Sequence, residues 1–232
     1  LPGPGGGVPL RFGLAADAEV RAERLRETAQ GIFFELVLPG GRAPVRLNAF
    51  GRFMVHNALA AAAVGYALGL DIDELRQGLE AFSPVAGRMR VMALAGGAHL
   101  IDDTYNANPT SVEGALATLN RLRGGGRSLL ALGDMRELGR DAGARHRQMG
   151  RRAARSGAAK LLVCGEFAAE VAAGAREEGM PAADILTGSR SDVQAALLLE
   201  IKTDDWVLVK GSRAVGMEAV VRAVQDWSAR RH

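Results

Sequence analysis

The chain has 232 residues, 48% of them hydrophobic, and a formal net charge of +3 at pH 7, so it is long enough to bury the core of one or two domains. Its arginines are dispersed among acids rather than gathered into a stripe, which argues against a dedicated nucleic-acid binder. The longest apolar run, residues 58–70, is interrupted by Gly65 and Gly69 and falls short of the roughly 20 residues that a membrane span needs, so no span is expected.

Residues 1–51 are rich in glycine and proline and hold short strand-like runs such as 32–38, with the look of the edge of something larger. Residues 1–14 lack the basic stretch leading into an apolar run that marks a secretory leader, which points to the cytoplasm. From Val55 the period becomes helical, with Val55, Leu59, Ala62, Tyr66 and Leu70 on one face, and a second helix is predicted over about 73–82 after a junction at Gly69, Asp71 and Asp73. Residues 83–88 break the helical pattern and mark a domain boundary. Beyond it, 90–94 and 99–102 read as strands of a hairpin turning at Gly96-Gly97. Helices are then predicted at 109–122, 142–155, 167–178, 192–201 and 215–230, alternating with strands at 128–132, 160–164, 184–186 and 206–209. Such alternation predicts an α/β sandwich with a mostly parallel sheet. Cys164, the single cysteine, lies in an apolar run and is expected to be a buried thiol.

In an open α/β sheet, ligands bind beyond the carboxyl ends of the strands, where loops and helix starts offer unpaired backbone donors. Three polar clusters follow predicted strands here: residues 102–111, 133–139 and 210–213. In the first, Asn108 or Thr110 suits a helix cap, Pro109 suits the first turn, and Thr110 with Glu113 matches a capping box. That leaves Asp102, Asp103 and Asn106 without a local purpose, and Asp103 above all is a candidate ligand contact. In the second, Asp134 serves equally as a turn cap or a ligand contact. In the third, Lys210, Gly211, Ser212 and Arg213 form an anion cradle on paper, against the plain alternative of a solvated basic turn. His146, set between Arg145 and Arg147, is expected to be a solvated helix residue, and His56 and His99 lack ligand neighbours at useful spacing, so no zinc or other metal site is expected.

Together, Asn57 with the alanines after it, Gly87-Arg88, the run Asp102-Asp103-Thr104-Tyr105-Asn106-Ala107-Asn108-Pro109, the run Gly133-Asp134-Met135-Arg136-Glu137-Leu138-Gly139, and Lys210-Gly211-Ser212-Arg213 closely resemble the Mur ligase family in its branch that adds D-alanyl-D-alanine. The resemblance runs from about residue 12 to the end. It implies that residues 1–88 are the carboxy-terminal part of a central ATP-binding domain and 89–232 a Rossmann-like carboxy-terminal domain. The family's phosphate loop and UDP-sugar domain are not in this chain, which should therefore be inactive alone. The implied activity is an ATP-dependent amide-bond ligase that joins D-alanyl-D-alanine to UDP-N-acetylmuramoyl-tripeptide through an acyl phosphate, in peptidoglycan synthesis, working as a monomer with magnesium held mainly by the missing part.

Carried over residue by residue, the resemblance implies that Asn57 bonds the adenine, Arg88 reaches the ribose or phosphates, and Asp103, with Asn106 beside it, holds the ribose hydroxyls. Arg88 and Asp103 are the implied catalytic pair. Lys210, Ser212 and Arg213 would meet the dipeptide carboxylate and Asp134 its ammonium, and hinge closure at residues 83–88 would bring the amine to the acyl phosphate. The chain departs from the family pattern at Phe53-Met54, where members carry a histidine followed by asparagine or methionine; both replacements can pack against an aromatic base. Two other readings stand beside this one: a non-catalytic Rossmann-like module for a small anionic ligand, and a ligase of the folylpolyglutamate or cyanophycin type. The loops at 105–108 and 210–213 argue against the latter.

Overall fold

A computed structural model describes residues 9–231, and the chain separates into two compact units that meet in sequence between Pro84 and Val85. In the first unit, β1 (Phe12–Gly13), β2 (Val20–Thr28), β3 (Gly31–Leu38) and β4 (Gly41–Leu47) form a four-stranded sheet in sequential order, antiparallel except for β1 with β2. Helices α1 (Arg52–Ala67) and α2 (Ile72–Glu80) supply the other half of its core: Val55, Leu59 and Ala62 with Leu75 and Leu79 pack on Val20, Phe34, Leu36 and Val45. The start of α2 is set by Asp71, which accepts the Asp73 and Glu74 N–H groups while Glu74 reaches back in a capping box. The run at 32–38 is thus the middle of a sheet. Its partner β2, Val-Arg-Ala-Glu-Arg-Leu-Arg-Glu-Thr, is too polar on its outer face to stand out in sequence.

The second unit holds β5 (Arg90–Ala93), β6 (His99–Asp103), α3 (Pro109–Arg123), β7 (Ser128–Leu132), α4 (Ala142–Arg155), β8 (Lys160–Cys164), α5 (Ala168–Glu177), β9 (Ile185–Gly188), α6 (Arg190–Glu200), β10 (Trp206–Lys210) and α7 (Glu218–Ala229). Its six strands lie in the order β5-β6-β10-β7-β8-β9 and are parallel except for the edge strand β5. Alternate residues serve opposite faces, as the pleat demands. Ile101, Leu130, Leu132, Leu161 and Leu208 face one core with Leu119 of α3, Met149 of α4 and Val171 of α5; Leu100, Leu129, Ala131, Leu162 and Val207 face another with Leu197 of α6 and Val220 of α7. Strands β7 and β10 are buried along their whole length, as expected for strands covered on both faces. No described helix is long and apolar enough to cross a membrane.

The division between the units, at Pro84 and Val85, falls inside the predicted 83–88 break, and the segment ahead of β5 is tied to the loop after β6. Gly87 N–H donates to Asp102 Oδ2 at 2.9 Å, Met89 N–H to Asp103 Oδ1 at 3.1 Å, and Tyr105 N–H to the Gly87 carbonyl at 2.9 Å. Gly87 has φ +80°, and a Cβ there would sit 2.9 Å from the Tyr105 nitrogen, so the turn needs glycine. Arg88 therefore belongs to the second unit. The cap of α3 is Asn108, paired reciprocally with Ser111, not Thr110 with Glu113; Glu113 instead pairs with Arg152 at 2.5 Å. Asn108→Ala is expected to cost about 1 kcal/mol and Thr110→Ala less than about 0.5 kcal/mol, by urea midpoint. The reverse ranking would restore the Thr110 cap.

Candidate functional site

Strands β6, β10 and β7 are neighbours, and Lys210 is in register with Asp103 on one side and Leu132 on the other. Their loops therefore leave the sheet at one level and meet. Lys210, 2% exposed, places its ammonium 2.5 Å from Asp103 Oδ2 and donates to the Asn106 carbonyl at 2.9 Å. It is a strut between β10 and the loop after β6, not the free cation of a cradle. Burial pushes the Asp103 carboxyl above its ordinary value, and the contacting Lys210 ammonium pulls it back. Asp103 also accepts the Met89 N–H, while its neighbour Asp102 accepts the Thr104 N–H at 3.3 Å and the Thr104 hydroxyl at 2.7 Å. Asn106 is exposed, with its amide oxygen turned back to the Ala107 N–H.

Asp134, expected to meet a ligand's ammonium, is 1% exposed. One carboxylate oxygen accepts the Glu166 N–H at 2.8 Å and the other the Phe167 N–H at 3.1 Å, so it caps the turn into α5 rather than its own following helix. Gly165 makes this approach possible: its φ is +120°, and a Cβ there would lie 2.4 Å from the Asp134 carboxylate. Ser212 is likewise committed. Its N–H donates to the Asp134 carbonyl at 2.9 Å and its hydroxyl accepts the Arg136 N–H at 2.9 Å, joining the loops after β10 and β7. His146 is fully buried rather than solvated, stacked on Phe167 with ring centroids 4.5 Å apart. Cys164 is buried as expected beside Met217, 3.4 Å between sulfurs, and burial pushes its thiol up.

What remains open to a ligand is positive. Arg88 and Arg213 are both exposed, with guanidinium carbons 4.0 and 5.5 Å from the centroid of the half-exposed Tyr105 ring. Neither has a carboxylate within ion-pair distance among the described residues. The structure thus gathers Arg88, Asp103, Asn106, Lys210, Ser212 and Arg213 at the ends of adjacent strands, but it buries Lys210, Ser212 and Asp134 as scaffold. Two arginines on an aromatic shelf, above a lattice of satisfied buried polar groups, suit an anionic ligand. Tyr105 carries that shelf, and sequence reasoning passed over it; the only available signal was an aromatic residue amid a polar loop. In the first unit, Asn57 and Phe53 are exposed on α1, with the Asn57 amide 3.8 Å from the Met54 sulfur.

A family profile described as "Mur ligase, glutamate ligase domain" matches residues 87–213. The UDP-N-acetylmuramoyl-tripeptide--D-alanyl-D-alanine ligase of Escherichia coli is 35% identical over 214 residues, covering 91% of this chain and 46% of the relative. A crystal structure of MurF from Acinetobacter baumannii superposes with a TM-score of 0.82 at 30% identity, covering 93% of this chain and 46% of that one. MurF from Thermotoga maritima, crystallised in complex with ADP, shares the fold at a TM-score of 0.78 and 23% identity, over 96% of this chain and 49% of that one. The chain spans about half the length of each.

Proposed function

This chain belongs to the Mur ligase family, and we propose that it is the carboxy-terminal half of an ATP-dependent ligase that joins D-alanyl-D-alanine to UDP-N-acetylmuramoyl-tripeptide. The name and 35% identity of the Escherichia coli relative support the substrates, and the ADP complex of the Thermotoga maritima relative supports the nucleotide. The observation in this chain that carries the reading is the pair of exposed arginines, Arg88 and Arg213, beside Tyr105 where three strand-end loops meet.

In the proposed reaction, the tripeptide carboxylate takes the terminal phosphoryl group of ATP, releasing ADP. The dipeptide amine then attacks the acyl carbon, giving up a proton as the amide forms and phosphate leaves. This unit's task is to bind and aim the amine. Arg213 takes the dipeptide carboxylate, since its guanidinium can form a bidentate, charge-assisted contact. Arg88 takes nucleotide phosphate, and Asp103 keeps lone pairs for a ribose hydroxyl beyond those given to Lys210 and Met89. Among the described residues no three His, Cys, Asp or Glu side chains gather as a metal site, and no step is assigned to magnesium.

Arg213→Ala in the complete enzyme is expected to raise the KM for D-alanyl-D-alanine roughly 10- to 100-fold, the worth of a charged hydrogen-bonded contact, and to leave the KM for ATP within about 2-fold. Equal effects on both substrates would remove Arg213 from the dipeptide side. A complete protein that binds both ligands but releases no phosphate would be a binding module instead.

A further inference from the structure

His146 lies on α4, away from the exposed arginines, yet its ring meets the loop after β7 with both nitrogens engaged. Nδ1 is 2.7 Å from the Ala142 carbonyl, which can only accept, and Nε2 is 2.9 Å from the Met135 N–H, which can only donate. These partners admit one form: a neutral imidazole protonated on Nδ1, with the Nε2 lone pair aimed at the loop. The other groups around the ring are the Phe167 face and the Asp134 carboxylate, 3.8 Å from Nε2 and itself held by the Glu166 and Phe167 N–H groups.

The loop that receives this bond has little freedom left. Met135 is 1% exposed, Arg136 N–H is bound to the Ser212 hydroxyl, and Ser212 N–H is bound to the Asp134 carbonyl. Three hydrogen bonds therefore run from His146 through residues 134–136 to Ser212, whose next residue is Arg213. We infer that His146 is a positioning residue for the acceptor substrate: by holding Met135 it fixes the loop that anchors Ser212, and so sets where the Arg213 guanidinium is presented. This rests on the reading of Arg213 as the residue that takes the dipeptide carboxylate.

Two substitutions separate this role from packing. His146→Phe keeps a ring against Phe167 but leaves the Met135 N–H buried without an acceptor, whereas His146→Gln can place an amide oxygen near the lost Nε2. In the complete enzyme, His146→Phe is expected to raise the KM for D-alanyl-D-alanine roughly 10-fold, with kcat and the KM for ATP within about 2-fold, and His146→Gln is expected to recover to within about 3-fold of the parent. In the 232-residue chain, hydrogen exchange at the Met135 amide should be fast in His146→Phe and slow in the parent and His146→Gln, and the ring nitrogen-15 spectrum of the parent should show a protonated Nδ1 and a bare Nε2. If His146→Phe does not fold, His146→Gln and the parent tautomer still decide, and a protonated Nε2 in the parent overturns the inference. Lost Met135 protection with an unchanged dipeptide KM also overturns it while the ligase reading stands. A parent enzyme that forms no amide bond overturns the ligase reading, and with it the substrate named for this role; the exchange and tautomer results identify that case, since neither depends on catalysis.

Discussion

Lys210→Met is expected to lower the unfolding free energy of the second unit by about 3–5 kcal/mol, the usual consequence of removing one member of a buried ion pair. The methionine would fill the space but leave the Asp103 carboxylate and the Asn106 carbonyl without the ammonium that satisfies both. Asp103→Asn on top of Lys210→Met should recover at least half of the loss. It removes the stranded charge and keeps an amide oxygen for the Met89 N–H. Both tryptophans of the chain, Trp206 and Trp227, lie in the second unit, so selectively excited tryptophan fluorescence in urea follows this unit alone. A single variant within about 1 kcal/mol of the parent would mean that water replaces the lysine, and that the strut contributes little.

The second large effect is expected at the crossing of α4 and α5. A Cβ on Gly150 would lie 1.9 Å from the Val171 carbonyl oxygen, and one on Gly174 would lie 1.9 Å from the Arg147 carbonyl oxygen. The two helices touch backbone to backbone through reciprocal glycines, and a backbone atom cannot turn aside as a flexible side chain can. Gly150→Ala should therefore destabilise by about 3 kcal/mol, although alanine in a helix interior is ordinarily worth up to about 1 kcal/mol over glycine. Gly114→Ala on α3, where nothing lies within 4 Å of the added carbon, should show that ordinary gain. Opposite signs at the two positions, read from thermal midpoints, are the expected result, and two stabilised variants would mean that the helices stand further apart. Spacing here also bears on the site, because α5 begins at the turn that Asp134 caps and carries the Phe167 ring on which His146 stacks.

Local periodicity and turn chemistry revealed most elements of the second unit, down to the hairpin of β5 and β6 around Gly96-Gly97. They could not reveal that β10 lies between β6 and β7, since pairing between distant strands leaves no trace in either segment. That placement explains why Lys210 is buried in an ion pair. A lysine after an apolar strand looks solvent-bound until its neighbour on the sheet is known to end in Asp103. His146 was misread for a different reason. Arg145 and Arg147 flank it in sequence, but a helix turns about 100° per residue, and the residues that share its face are Met149, Gly150 and Ala153, all buried. The spacing i, i+3, i+4, i+7 was there to be read, and it outranks nearest neighbours. The strand-end rule singled out Asp103 and Arg213, and the resemblance Arg88; these residues lie near one another where β6 and β10 end, while the division between scaffold and exposed charge depends on which strands pair.

The central position of β10 also governs how the protein emerges from a ribosome. Until Trp206–Lys210 has been translated, β6 and β7 each present an unpaired parallel edge in the middle of what will become the sheet, the kind of surface that recruits other strands in a crowded cell. The nascent chain must wait through α3, β7, α4, β8, α5, β9 and α6 before the gap is filled. Because Lys210 arrives with β10, the lattice that orients the exposed arginines is completed in that same event, and a chain stalled before residue 206 would have neither a closed sheet nor the site it supports.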